Sequence, residues 1–369
     1  MGDEKKIRYA VIGLGNIAQV AVLPAFEHAA ENSELAAIVS SNDRKRAELA
    51  RRFHVEHAVA YEQFDRLVSE ERIDAVYIAL PNHLHAEWTV RAASAGLHVL
   101  CEKPMALDEN ECHTMIDAAR EHDRLLMIAY RLHFEEANLK AMELIRTGEI
   151  GEPRFFSSVF SHQVRPGDIR TEGEKGGGAL FDMGVYCVNA ARYLLSDEPS
   201  EAFAFMIGDH DERSRDVDET TAAVLRFPDG KIAQFTASQG TTSISSYRVS
   251  GTEGDILVEP AYEYTEPLRI TLTRGDKKKE FEVEKRDQFA PELIYFSRCI
   301  LERRTPEPSG EEGLADIRVI RALMRSASEG KAVRFEPSPK RKRPSPEQEM
   351  RERPVPKQET VDAPSPSTS

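Results

Sequence analysis

Along the first 130 positions, apolar residues come in short continuous runs separated by amphipathic stretches. Tyr9–Gly13, Leu35–Ser40, Ala75–Leu80, Leu97–Leu100 and Leu125–Ala129 predict five strands, with Pro81 stopping the third. Between them, Arg44–Phe53, Glu87–Ala95 and Glu109–Glu121 carry the longer apolar spacing of helices. A continuous apolar run has no polar face to give to water. Runs of this kind alternating with helices predict a parallel sheet covered on both sides, a doubly wound α/β domain. After Tyr130 the pattern changes. A helix over Asn138–Thr147 leads to Gly148 and Gly151, and strands with polar alternation follow: Arg154–Ser161, Thr220–Phe227, Ile232–Ser238, Ser246–Ser250, Asp255–Val258 and Leu268–Thr273. Asp229-Gly230 marks a hairpin tip between two of them. This predicts an α+β domain on a mostly antiparallel sheet, closed by helices over Pro291–Glu302 and Glu311–Ser328.

The organisation expected is a first domain over 1–130, a second over 131–336 and a tail over 337–369. The tail holds eight prolines and few apolar residues, too few to offset the entropy of ordering, so disorder is expected there. Its Lys340–Arg343 run reads as a solvated basic stretch, with a weak anion patch as the alternative.

Charge removes several functions. The formal net charge is −14, and the tail itself is basic, so the folded part is more acidic still. Such a body repels polyanions, which argues against a nucleic-acid or anionic-membrane binder. No apolar run approaches the roughly 18 residues that span a bilayer. Met1–Arg8 is charged and lacks an apolar signal core, so a cytoplasmic location is expected. Cys101, Cys112, Cys187 and Cys299 are scattered without ligand spacing, which predicts reduced packing thiols and no metal site.

The chemistry concentrates at predicted strand ends. Gly13-Leu14-Gly15-Asn16-Ile17-Ala18 has the G-x-G-x-x-A form that binds a dinucleotide. Gly13 permits the turn, Gly15 lets the backbone approach the pyrophosphate, and Ala18 packs helix on strand. The anion then meets the free N–H groups of a helix N-terminus. After the second strand come Ser40, Ser41, Asn42, Asp43, Arg44 and Lys45. Small polar groups followed by bases suit a 2′-phosphate, hence NADP, with NAD open because Asp43 could serve as the ribose acid. Leu80-Pro81-Asn82 with His85 follows the third strand, and Glu102-Lys103-Pro104 the fourth. Further on, Gly176-Gly177-Gly178-Ala179-Leu180-Phe181-Asp182-Met183-Gly184-Val185-Tyr186 places Asp182 and Tyr186 four apart, on one face of a helix. From these residues alone, Asp182 reads equally well as a helix cap and Tyr186 as a core residue.

Taken in order, these motifs resemble the Gfo/Idh/MocA oxidoreductase family, in its glucose–fructose oxidoreductase-like branch. Ser243–Gly254 and Ser309–Ile320 are similar to that branch too, so the resemblance spans about residues 7 to 336. It implies a Rossmann domain followed by a domain on a large open sheet that commonly mediates homo-oligomerisation, as a dimer or tetramer. It implies a sugar or polyol substrate. It implies that Lys103 and Tyr186 are the catalytic pair, that Asp182 binds substrate and assists proton transfer, and that Tyr130 and Arg131 lie near the substrate and cofactor. Tyr186 stands where many members carry histidine, which is similar to the sugar- and dihydrodiol-oxidising members.

The implied reaction moves a hydride from a carbinol carbon to the nicotinamide while the hydroxyl loses its proton. Free tyrosine, with a pKa near 10, is a weak base at neutral pH, and a lysine ammonium beside it favours the phenolate. The expected product is a lactone from a sugar C1 hydroxyl. Two alternatives share the scaffold: a redox-silent sugar sensor and an NAD-dependent glycosidase. Arg165, Asp168, Arg170, His162 and Tyr247 are the candidates for substrate choice.

Overall fold

The computed structural model of the chain describes residues 6–208, 216–339 and 343–367. Residues 1–5 at the charged start and Lys340–Lys342 of the basic run therefore lie outside the described residues. The chain divides into two compact units. The first comprises 1–131, 286–314 and 350–365, and the second 132–285, 315–349 and 366–369.

The first unit is built on six parallel strands: β1 (Ile7–Ile12), β2 (Ser33–Val39), β3 (His57–Val59), β4 (Ala75–Ile78), β5 (His98–Glu102) and β6 (Leu126–Ala129). Their order is β3-β2-β1-β4-β5-β6. Every residue of β4 and β6 is buried, which is why their sequences run apolar without alternation. Helices α1 (Leu23–His28), α2 (Asp43–Phe53), α3 (Phe64–Glu70), α4 (His85–Ser94) and α5 (Glu109–Glu121) connect the strands. Local chemistry sets their starts. Asn42 caps α2 by accepting from the Lys45 amide at 2.9 Å, and Asp108 caps α5 by accepting from the Glu111 amide at 2.9 Å. In return the Glu111 carboxylate accepts from the Leu107 amide.

The second unit carries α6 (Glu136–Arg146) and α7 (Val185–Leu195) against a nine-stranded sheet. Its strands are β7 (Pro153–Ser161), β8 (Glu201–Ile207), β9 (Thr220–Arg226), β10 (Ile232–Ser238), β11 (Ile244–Gly251), β12 (Asp255–Val258), β13 (Leu268–Arg274), β14 (Lys277–Val283) and β15 (Val333–Arg334). They lie in the order β14-β13-β12-β11-β7-β10-β9-β8-β15, antiparallel except for the β7–β10 pair. Burial alternates along β9 and β10, so one face is packed and the other open. The expected hairpin joins these two strands, with the Phe227 amide donating to the Lys231 carbonyl.

By its contacts the chain divides after Arg131, and later segments are shared between the two units rather than falling into the successive spans 131–336 and 337–369. Helix α8 (Ala290–Glu302) belongs to the first unit. The Ser297 hydroxyl on α8 meets Tyr9 Oη and Ser33 Oγ, each at 2.8 Å, which ties α8 to β1 and β2. Helix α9 (Gly310–Glu329) begins in the first unit and continues in the second. The tail also differs from the disorder expected of it. Residues 350–365 count with the first unit, and Val361 and Ala363 are buried. Composition averages over 33 residues and hides two anchors of this size.

Candidate active site

In the first unit the expected cofactor residues collect at the carboxyl ends of β1, β2, β4 and β5, where a doubly wound sheet binds its ligand. Gly13 has φ +95°, and a Cβ there would stand 2.4 Å from the Ala79 carbonyl oxygen. Only glycine fits this crossing of β1 and β4. Gly15 has nothing within 4 Å of its added Cβ, so that side of the turn is open for a ligand's approach. Ala18 is fully buried against the sheet. Asn16 and Ile17 are partly exposed at the start of the helical turn that leads into α1. These features fit a dinucleotide: a bare backbone patch, a helix N-terminus and a small packing residue.

At the end of β2, Ser40 is buried and its hydroxyl accepts from the Asn42 amide, while Ser41 and Arg44 are exposed and Asn42 and Lys45 partly exposed. Asp43 pairs with Arg46, whose guanidinium also donates to the Ser40 carbonyl. This engages the acid that kept NAD open and places the Arg46 guanidinium at Ser40, with Arg44 and Lys45 on the first turn of α2 beside it.

Leu80 is buried, and Pro81 and Asn82 are partly exposed after β4. His85, expected at the cofactor, is a correction. It is fully buried, with Nδ1 2.9 Å from the Pro104 carbonyl and Nε2 2.9 Å from the Leu80 carbonyl. Burial lowers its pKa despite these carbonyls, so the ring braces the Lys103–Pro104 turn from inside. Glu102 accepts from Tyr77 Oη at 2.8 Å, and burial raises its pKa. Lys103 is partly exposed at the end of β5. Arg131 is buried, with its guanidinium on the Gln288 side-chain oxygen, and its charge opposes the rise in the Glu102 and Glu292 pKa values. Tyr130 beside it is buried as well. Glu292 on α8, which carried no motif, is fully buried, and its pKa is raised by burial and then by Glu102.

In the second unit the glycine run is explained by its neighbours. A Cβ on Gly177 would meet the Arg170 carbonyl at 2.4 Å, and one on Gly178 would meet Asp218 Oδ1 at 2.1 Å. Asp218 accepts from the Leu180 amide at 2.8 Å and from Thr221 Oγ1 at 2.6 Å, and burial raises its pKa to about 6. A wide turn over Leu180–Gly184 then opens α7. Asp182 accepts from Arg170 Nε at 3.0 Å, and Arg170 Nη1 donates to Asp168 at 3.1 Å. Burial opposes the Arg170 charge, but the two carboxylates outweigh it, so the guanidinium stays charged. Asp182 is thus held in an ion cluster and is not the cap.

Tyr186, one turn on, is partly exposed. Its ring lies edge-on to Phe160 at 5.5 Å and 6.0 Å from Tyr262. Phe160 on β7 reads in the sequence as a core aromatic, and Tyr262, in the stretch between β12 and β13, carries no motif. Tyr262 Oη lies 2.7 Å from Ser158 Oγ. Among the specificity candidates, Asp168 and Arg170 join Asp182, and His162 lies edge-on to Phe160 at 6.3 Å. Tyr247 is a correction: it is 1% exposed and donates to Asn138 Oδ1 at 3.0 Å, a core contact. Arg165 is exposed and donates from Nε to the Ser367 carbonyl.

Among the described residues, no helix is long and apolar enough to cross a membrane, and no group of three potential metal ligands occurs.

Two family models match the chain. The one described as an oxidoreductase family with an NAD-binding Rossmann fold covers residues 7–130, and the GFO/IDH/MocA C-terminal domain covers 138–257. An NADP-dependent D-xylose 1-dehydrogenase of Haloarcula marismortui is 35% identical over 340 residues, 90% of this chain and 94% of that protein. The crystal structure of an aldose–aldose oxidoreductase from Caulobacter crescentus, complexed with glycerol, is 36% identical with a TM-score of 0.85. It covers 90% of this chain and all of that one. A 3-ketoreductase from Actinomadura kijaniata, in complex with NADP and TDP-benzene, is 30% identical with a TM-score of 0.80, covering 87% and 98% of the two chains.

Proposed function

The chain belongs to the Gfo/Idh/MocA oxidoreductase family, and from that membership we propose that it oxidises the C1 hydroxyl of an aldose to a lactone, or reduces a carbonyl in reverse, with NADP as redox partner. It is a nicotinamide-dependent oxidoreductase acting on CH–OH groups of sugars. The observation that carries the proposal is the Gly13–Ala18 turn, open at Gly15 and sealed at Ala18, at the same edge of the sheet as Lys103. The residues that would hold the cofactor are Gly13, Gly15, Asn16 and Ile17 at the pyrophosphate, Ser40, Ser41, Asn42, Arg44 and Lys45 at the 2′-phosphate, and Leu80, Pro81 and Asn82 beside the ribose. A bound nicotinamide supplies the hydride acceptor, or the donor in reverse.

The side chains manage the proton and the substrate. Tyr186 Oη takes the hydroxyl proton, and returns it to the alkoxide oxygen in the reverse direction. Lys103 supplies the positive charge that favours the phenolate. Asp182 holds a neighbouring sugar hydroxyl, and its own orientation is fixed by Arg170. His85 acts at one remove, as a positioning residue for Lys103.

A panel of aldoses, ketoses and diols with NADP and then NAD, followed by absorbance of the reduced cofactor, tests this reading. Aldose-dependent NADP reduction exceeding that with NAD is expected. Release of a sugar from a glycoside without net NADPH would replace the reading by a glycosidase, and bound cofactor without any turnover would replace it by a sensor.

A homo-oligomer through the open sheet face belongs to the same proposal. Phe155, Phe205, Val224, Ile232 and Ile244 are each more than 40% exposed on the nine-stranded sheet. A patch of this kind, unusual on a monomer, supports association between copies. Phe205→Glu is expected to shift the protein to monomers in sedimentation, and an unchanged mass would refute the assignment of this face. Four free, buried cysteines support a reducing, cytoplasmic location.

A further inference from the structure

The tail crosses both anion-recognition features of the first unit. Gln19, fully buried, pairs with the backbone of Val361 in both directions. Its Nε2 donates to the Val361 carbonyl at 2.9 Å, and the Val361 amide donates to its Oε1 at 2.7 Å. The same Nε2 donates to the Leu14 carbonyl of the glycine turn at 2.9 Å. Asn16 Nδ2 donates to the Ala363 carbonyl at 3.0 Å, and Arg52 donates to the Glu359 carbonyl. Val361 and Ala363 are buried at 3% and 7% exposure, so residues 359–363 form a seated strap. Between these anchors, the Asp362 carboxylate receives Arg44 Nη1 at 3.1 Å and Asn42 Nδ2 at 3.5 Å.

Asn42 and Arg44 are two of the groups proposed above for the 2′-phosphate. Resting on that reading, we propose that Asp362 is a cofactor-specificity residue: carried on the strap, it is the intramolecular anion that a 2′-phosphate displaces from Asn42 and Arg44. The chemistry discriminates between the two cofactors. A 2′-phosphate brings about two negative charges to a place where a carboxylate already sits, and like charges repel. A ribose with a free 2′-hydroxyl brings a donor, which a carboxylate accepts, as the acid of NAD sites does. The strap therefore weakens NADP binding relative to NAD and narrows the preference that Arg44 and Lys45 create. The Asp362–Arg44 pair is exposed, so the effect is modest and sensitive to salt.

The test is equilibrium binding to the cofactor-free full chain, read by the fluorescence of NADPH and of NADH. Asp362→Asn is expected to tighten NADPH by roughly 3- to 10-fold while leaving NADH within about 2-fold, the gain shrinking at high salt. Truncation after Gln358 is expected to reproduce this shift. Arg44→Ala separates the strap from the phosphate site beneath it. It is expected to weaken NADPH, and more strongly in the Asp362→Asn background, where Arg44 has no internal partner to lose. If Arg44→Ala weakens NADPH equally in both backgrounds and Asp362→Asn changes nothing, the 2′-phosphate reading stands and the strap proposal falls. If Arg44→Ala has no effect in either, both fall. If truncation weakens NADPH and NADH alike, the strap is a clasp, and the proposal is likewise overturned.

Discussion

Tyr186→Phe is expected to lower turnover by about 10²- to 10⁴-fold, the usual contribution of a positioned acid–base group, with the dissociation constant for NADPH unchanged. The substitution removes one oxygen. The ring keeps its edge contact with Phe160 and its place beside Tyr262, so α7 has no reason to move. Loss of turnover with binding intact therefore isolates the proton step. Lys103→Met is expected to fall in the same range. If the two residues act as one acid–base unit, the double variant is little worse than the worse single one, because each deletion already disables the unit. Steady-state kinetics beside NADPH titration checks both statements. Turnover of Tyr186→Phe within tenfold of the parent would remove the tyrosine from its role.

Arg192→Leu is expected to destabilise the second unit by about 3–5 kcal/mol. Arg192 is fully buried on α7 and donates to Glu198 through Nε at 2.7 Å and Nη2 at 3.0 Å. Its Nη1 pairs with Asp316 of α9, which also accepts from Asn189 Nδ2 at 2.9 Å. The His133 Nε2–H in turn donates to Asn189 Oδ1 at 2.8 Å. Removing the guanidinium takes this cation from Asp316 and leaves Glu198 to Arg343, and a buried carboxylate stripped of its pairing costs far more than the pair contributes when complete. A single domain has about 5–15 kcal/mol in total, so the unfolding midpoint should drop by many degrees. Urea or thermal unfolding of the variant measures this, and a loss under about 1 kcal/mol would contradict the network's structural role.

Much of the scaffold is legible in the sequence because the physics is local. The strands of the first sheet are buried on both faces, so each announces itself as an apolar run. The exception is β3, three residues long and only partly buried, which leaves no such run. In the second sheet β14 escapes the pattern because Lys277–Glu280 is charged, as suits a strand at the end of the sheet with one neighbour. Site residues are legible where backbone geometry demands a residue type. Gly13 and Gly178 cannot carry a Cβ, and no other residue would satisfy their positions. Residues whose role depends on distant partners are not. His85 and Asn82 lie in one motif, yet the first is an interior brace and the second is partly exposed, a difference set by the carbonyls of Leu80 and Pro104 that hold the His85 ring. Arg131 is drawn inward by Gln288, and Tyr247 by Asn138, neither adjacent in sequence. The strap departs furthest from expectation. Its anchors work through backbone groups of Val361 and Ala363, and backbone groups leave no mark in composition.

Hydride transfer from an aldose carbon is best tested with a C1-deuterated aldose and NADP, followed by mass spectrometry of both products. Direct transfer predicts one deuterium in the reduced nicotinamide for each lactone formed. Lactone accompanied by unlabelled NADPH, or NADPH formed without lactone, would contradict it.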